Sequence, residues 1–263
     1  MPIAEAHGIK VNYRFDGGET APVLVLSHSL GADLSLWVPQ VPAFSRHFRV
    51  LRYDTRGHGS TDVTPGPYAV ETLARDLLGL LDSLRIERAH FCGLSMGGAI
   101  GMWLGVHAPG RIERLVLCNT APRIGTTDSW NARIMQVREG GMAAIVATQI
   151  GRWFTPEFAG RAPESVGRIM ELLRHCSPEG YIGCCAALRD SNLSEDISKI
   201  HGHTMVITGS RDPVVPPSDA QDMVEKIPGA RYVELDASHL SNIEAEERFN
   251  DAVVQFLLEP EPR

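Results

Sequence analysis

Gly93-Leu94-Ser95-Met96-Gly97-Gly98 stands between the apolar run Ala89-His90-Phe91-Cys92 and the helix-like stretch Ala99-Ile100-Gly101-Met102-Trp103-Leu104. A G-x-S-x-G pattern in that setting makes a sharp turn from strand to helix that holds the serine at the strand tip in a strained backbone conformation. Strand and helix pass so closely there that positions two residues either side of the serine need almost no side chain. Gly93 and Gly97 meet that need. The helix amino end beside Ser95 also offers unpaired N–H groups and a partial positive charge, which suit an oxyanion formed on attack. The five-residue pattern alone is common by chance, so the flanking strand and helix carry the reading.

On either side of the turn, strands and helices alternate. Ile9 to Phe15 alternates and ends at Asp16-Gly17-Gly18, a hairpin signal. Val23-Leu24-Val25-Leu26 is apolar at every position, as a parallel strand covered on both faces must be. Phe48 to Tyr53 reads as a further strand, and Leu73, Leu77, Leu80, Leu81 and Leu84 keep helical spacing. Leu115-Val116-Leu117-Cys118 follows the serine helix. After Thr120-Ala121-Pro122 the rhythm stops: residues 123 to 195 show only helical stretches broken by Gly and Pro, such as Asn131 to Val137, Met142 to Phe154 and Ser165 to Arg174. Strand Thr204 to Thr208, helix Ser218 to Lys226, strand Tyr232 to Leu235 and helix Glu244 to Leu258 then resume it, and the tail after Glu259 reads as loose. The expectation is an α/β fold with a mostly parallel, doubly wound sheet, its core formed by residues 1–121 and 196–263 and a helical cap formed by 122–195.

Length and composition allow this. The chain has 263 residues, 43% hydrophobic and 22% charged, enough for one domain with an insertion. A net charge of −7 with no basic cluster argues against nucleic acid and against an anionic membrane surface, leaving a small molecule as the expected partner. Oligomeric state is not legible. The start, Met1-Pro2-Ile3-Ala4-Glu5, lacks a charged segment followed by an apolar one, and no apolar run approaches a membrane span, so the expected location is cytoplasmic. Five cysteines without C-x-x-C spacing read as reduced core thiols.

A serine hydroxyl needs a neighbouring base, itself held in one tautomer by an acid. On this kind of sheet the acid and then the histidine follow the serine in the chain. Asp212, in Gly209-Ser210-Arg211-Asp212-Pro213 after a late strand, is the candidate acid, with Asp190 and Asp196 as weaker competitors from less ordered contexts. His239, in Asp236-Ala237-Ser238-His239 after the last strand, is the candidate base. His90, His107, His175, His201 and His203 do not follow a late strand. Oxyanion donors are expected from the N–H of Met96, next to the serine, and of Leu30, in the loop His28-Ser29-Leu30-Gly31 after an early strand. Asp54 to Gly59 is read as structural, with Arg56 and His58 holding neighbouring loops. The candidate constellation contains no metal.

With these residues assembled, the chain resembles the α/β-hydrolase superfamily along nearly its whole length. Within it, the sequence is similar to the 3-oxoadipate enol-lactonases. The likeness rests on His28 to Gly31, Tyr53 to Ser60, Phe91 to Gly98, Gly209 to Asp212 and Ala237 to His239. In the cap it rests on Thr127 to Ile134, Arg152 to Thr155 and Gly180 to Ala186. The resemblance implies a small unsaturated lactone with an acetate side chain, opened through an acyl-enzyme on Ser95 without a cofactor, within aromatic catabolism. The side-chain carboxylate then needs a cation. Arg133, sharing a helix face with Trp130, is the first choice, and Arg152 beside Trp153 the second. The alternatives are a carboxylesterase, a carbon–carbon bond hydrolase or perhydrolase on the same framework, and a ligand receptor that does not turn over. A haloalkane dehalogenase would instead carry aspartate at position 95.

Overall fold

Runs that are apolar at every position need cover on both faces, and they form the parallel centre of the sheet. The computed structural model describes residues 2–260, so the tail beyond Pro260 lies outside the described residues. Its strands are β1 (Ile3–Ala6), β2 (Ile9–Asp16), β3 (Val23–Ser27), β4 (Arg49–Tyr53), β5 (Ala89–Leu94), β6 (Ile112–Cys118), β7 (His203–Gly209) and β8 (Arg231–Leu235), in the spatial order β1-β2-β4-β3-β5-β6-β7-β8. β1 and β2 pair antiparallel, as do β2 and β4, and every later pairing is parallel. Register matches Ser27 with Gly93, Leu94 with Cys118, and Cys118 with Ile207. The carboxyl ends of β3, β5, β6 and β7 therefore lie at one level, and the loops leaving them meet there.

The hairpin falls elsewhere than the Asp16-Gly17-Gly18 signal suggested. The tight reversal is at His7-Gly8, both with positive φ, and joins β2 to β1, a short and mostly exposed strand with little hydrophobic pattern to reveal it. Gly17 instead lets the chain leave β2 and cross to β3, which pairs with β4 and not with β2.

The helices are α1 (Val41–Phe44), α2 (Val70–Ser83), α3 (Met96–His107), α4 (Thr127–Gly140), α5 (Ala143–Trp153), α6 (Pro156–Arg161), α7 (Pro163–His175), α8 (Pro178–Asp190), α9 (Pro217–Lys226), α10 (Ser241–Glu244) and α11 (Glu246–Leu258). On α2 the Leu73, Leu77, Leu80 and Leu81 stripe is fully buried. α3 is apolar all round and buried from Met96 to Gly105, as a helix without a polar face must be.

Five helices, α4 to α8, lie between β6 and β7, with no strand among them. The prolines that interrupt this stretch mark helix starts: Pro156, Pro163 and Pro178 each begin one, where a fixed φ and a missing N–H do no harm. Thr126, Thr155 and Ser177 cap α4, α6 and α8 with side-chain acceptors. α8 docks on the loop after β4 by backbone alone. A Cβ on Gly180 would lie 2.0 Å from the Gly57 carbonyl oxygen, and one on Gly57 would lie 2.4 Å from the Gly180 Cα.

All five cysteines are buried and free, with Cys92 and Cys118 side by side on β5 and β6 at 3.8 Å. Burial pushes the Cys185 thiol up to about 12. Among the described residues no helix is long and apolar enough to cross a membrane.

Candidate active site

Ser95 sits between β5 and α3 with φ 56° and ψ −111°, outside the regions a side chain prefers. Such a conformation costs on the order of 1–3 kcal/mol and persists only when its surroundings fix it. Here the Ser95 N–H donates to the Cys118 carbonyl at 2.9 Å, and the Thr120 hydroxyl donates to the Ser95 carbonyl at 2.9 Å. The glycines are needed for space: a Cβ on Gly93 would stand 2.2 Å from the Gly97 oxygen, and one on Gly97 would stand 2.2 Å from the Ser27 oxygen.

The loops from the strand ends bring the three distant residues together. His239 Nε2 lies 3.0 Å from Ser95 Oγ, and His239 Nδ1 lies 2.8 Å from Asp212 Oδ2. A carboxylate only accepts, so Nδ1 carries the ring proton and Nε2 is left to accept from the serine hydroxyl. All three side chains are buried. Asp212 is further fixed by the N–H groups of Val214 and Val215 on Oδ1, at 2.8 and 3.1 Å. Burial alone would raise its pKa, but the neighbouring His239 and the hydrogen bonds it accepts from His239, Asn119 and Val215 hold it below the usual aspartate value. Asn119, in the left-handed region at φ 47° just after β6, donates its amide to Asp212 Oδ2 at 3.0 Å and to the Ser238 carbonyl at 3.3 Å, and accepts the Ser241 hydroxyl at 2.6 Å. It joins the acid to the histidine loop, and only its place at a strand end could have drawn notice to it. Asp190 and Asp196 lie apart, paired with Arg189 and Lys199.

Met96 is the first residue of α3, where a backbone N–H has no intrahelical acceptor. Leu30 sits in a loop held by two buried, neutral histidines. His28 Nε2 accepts the Thr55 N–H at 2.9 Å while its Nδ1 donates to the Ser29 carbonyl at 2.8 Å. His58 Nε2 accepts the Gly31 N–H at 3.0 Å. Burial lowers the pKa of His28, and burial together with His28 pushes His58 down to about 3. Arg56 grips both oxygens of Asp76, at 2.7 and 2.6 Å, so Asp54 to Gly59 acts as a brace.

Above Ser95 lies a small, partly open cavity, walled from below by Ser29, Leu30 and His239. All four residues expected from the helical segment, Trp130, Arg133, Arg152 and Trp153, line it. Trp130 spends its indole N–H on the Ile124 carbonyl at 2.6 Å and offers only its ring. Arg133 donates to the Tyr181 hydroxyl at 3.1 Å. Arg152 is open to solvent on one side; partial burial, with the charge of Arg133 adding to it, lowers its pKa. Among the described residues neither arginine forms an ion pair with a carboxylate. Gln149 and Tyr181 also line the cavity; Tyr181 lies in the Gly180 to Ala186 stretch that carries the resemblance without having been singled out, and nothing in the sequence context of Gln149 marks it.

A strained serine at a strand-to-helix turn, backed by histidine and aspartate from later strand ends of a mostly parallel sheet, defines a class. The chain belongs to the α/β-hydrolase family, and the profile of the alpha/beta hydrolase fold matches residues 22–140. Among its relatives is 3-oxoadipate enol-lactonase 2 of Acinetobacter baylyi, 41% identical over 94% of this chain and 93% of that protein. 3-oxoadipate enol-lactonase 1 of the same organism is 39% identical over 94% and 92%. The crystal structure of the enol-lactonase from Burkholderia xenovorans LB400 superposes with a TM-score of 0.97 at 46% identity, covering 98% of this chain and all of that one.

Proposed function

We propose that this chain hydrolyses the enol-lactone of 3-oxoadipate to 3-oxoadipate through an acyl-enzyme, with Ser95 as nucleophile, His239 as general base and Asp212 as its orienting acid. The observation that carries the reading is the pairing of a hydrogen-bonded Ser95-His239-Asp212 chain with a cavity whose upper wall holds two arginines that have no carboxylate partner among the described residues. The helical segment 122–195 serves as a cap that shapes this cavity over the α/β core.

His239 Nε2 takes the Ser95 proton as Oγ attacks the ring carbonyl, and the N–H groups of Leu30 and Met96 receive the developing oxyanion. Collapse breaks the ring carbon–oxygen bond. The oxygen leaves as an enolate, a better leaving group than an alkoxide; the proton that His239 took from Ser95 is passed on as the enolate becomes a ketone by protonation at carbon, which returns His239 to the neutral base. Water deprotonated by His239 then attacks the acyl-enzyme, Ser95 leaves with the proton, and the dicarboxylic keto acid departs. The steps need no cofactor. Throughout, the acetate side chain is held by Arg133, with Arg152 beside it.

Steady-state turnover of freshly prepared enol-lactone beside a neutral short-chain p-nitrophenyl ester tests this. The expected kcat/KM on the lactone exceeds about 10⁵ M⁻¹s⁻¹ and stands at least roughly a hundredfold above the ester, a margin of about 2.7 kcal/mol. Equal or better turnover of the ester makes the chain a general esterase. Arg133→Ala should raise KM for the anionic lactone far more than for the ester, and equal effects on both remove Arg133 from recognition.

A further inference from the structure

One buried carboxylate outside the triad joins the histidine loop to the cap. Glu244, the last residue of α10, is 6% exposed. Its Oε2 accepts the backbone N–H of Ser238 at 3.0 Å and that of Thr155 at 3.2 Å, and its Oε1 accepts the Thr155 hydroxyl. The Thr155 oxygen itself accepts the Phe158 N–H, which leaves its proton for Glu244, so all three partners act as donors. Among the described residues no cation forms an ion pair with this carboxylate.

The two ends it joins are those that matter for the reaction. Ser238 immediately precedes His239. Thr155 follows α5, whose last two residues, Arg152 and Trp153, wall the cavity. Two direct bonds run beside the carboxylate, from the Leu240 N–H to the Trp153 carbonyl at 3.1 Å and from the Ser238 hydroxyl to the Arg152 carbonyl at 3.3 Å. Both use only main-chain atoms on the cap side. A carboxylate that holds a main-chain N–H from each segment, 6 and 89 residues away along the chain, fixes the distance between them.

We propose that Glu244 is a positioning residue that holds His239 and the Arg152-Trp153 wall in a common frame, so that the base and the anionic end of the substrate are placed by the same group. The inference rests on reading Ser95, Asp212 and His239 as the triad and is independent of which lactone is the substrate. Reach, not charge, is what the geometry uses. In Glu244→Gln the amide oxygen can take the place of Oε2 and keep both backbone N–H groups, while the NH₂ group faces the Thr155 oxygen. Glu244→Asp keeps the charge but is one methylene too short to span both segments.

The test compares Glu244→Gln, Glu244→Asp and Glu244→Ala for thermal melting and for steady-state kinetics on a neutral p-nitrophenyl ester and on the anionic enol-lactone. Because small misplacements of reacting groups cost up to about a hundredfold, the Asp and Ala variants should lose at least about tenfold in kcat on the ester. They should show, in addition, a KM for the lactone raised about fivefold or more, while Gln stays within about threefold of the parent on every constant. Folded Asp and Ala variants that melt earlier but keep both constants would overturn the proposal, as would a Gln variant that falls as far as Ala. Should Asp and Ala fail to fold, Thr155→Val carries the test: the same rise in lactone KM supports the proposal and unchanged constants overturn it. A chain that turns over the ester but not the lactone fails the substrate reading, and the ester kinetics still decide on Glu244.

Discussion

Ser95 is held in its strained conformation by groups that contribute nothing else to the proposed chemistry: the Cys118 carbonyl, the Thr120 hydroxyl and two glycines without room for a methyl group. Ser95→Ala keeps every one of these supports, so the fold should survive while kcat falls by about 10⁵–10⁶, as for other triad deletions. Activity within tenfold of the parent would remove Ser95 as nucleophile. The meeting of Ser95, Asp212 and His239 was legible because each sits just after a strand that the apolar runs reveal. Asn119 and Glu244 were not. An asparagine after a strand reads as turn chemistry and a glutamate in a helix reads as solvated, and only tertiary contact shows that one holds the acid and the other the histidine loop.

Elements were legible in proportion to how much of their pattern is hydrophobic. β3, β5, β6 and β7 are covered on both faces and read directly, and so does the leucine stripe of α2. β1 escaped because an edge strand of four residues buries little. α8 escaped because Gly180 and Gly183 look like breakers, yet they let the helix approach the loop after β4 and carry Tyr181 to the cavity wall. That account fixes the sign of a mutation. Inside an ordinary helix Gly→Ala stabilises, by up to about 1 kcal/mol. In Gly180→Ala the new methyl group meets the Gly57 carbonyl, main chain that cannot swing aside, so the variant should lose about 1–3 kcal/mol or more. Differential scanning calorimetry should show a melting midpoint several degrees lower, and a rise would refute backbone docking as the reason for glycine.

The molecule as a whole carries an acid-sensitive joint at its centre. His58, buried and pushed down to about 3, must take up a proton on unfolding at any pH between that value and the ordinary histidine value of 6.5. A depressed histidine pKa means the unfolded chain binds more protons in that window, so stability is complete above about pH 6.5 and drains as the pH falls toward 3. His28 acts in the same direction. The depressed carboxyl of Asp212 adds its loss only below the ordinary aspartate value of 3.8. The thermal midpoint should thus hold steady from pH 8 to 7 and fall by roughly 10 °C by pH 4. His58→Gln, whose amide oxygen can replace Nε2 as acceptor for Gly31, should flatten that slope, and a midpoint level down to pH 4.5 would contradict the neutral-histidine brace. The two arginines of the cavity, which form no ion pair with a carboxylate among the described residues, bear finally on the end of the catalytic cycle. On the proposed function, ring opening turns a monoanion into a dianion, and a wall with two cations should hold the second carboxylate as well as the first. On the proposed reading the product should then inhibit the enzyme as the acid accumulates. Adipate, the saturated six-carbon dicarboxylate, should compete with the lactone at concentrations below KM and at least about tenfold better than a monocarboxylate of equal length. Progress curves should bend well before the lactone is spent, and adipate without effect at ten times KM would show that the pair does not act together.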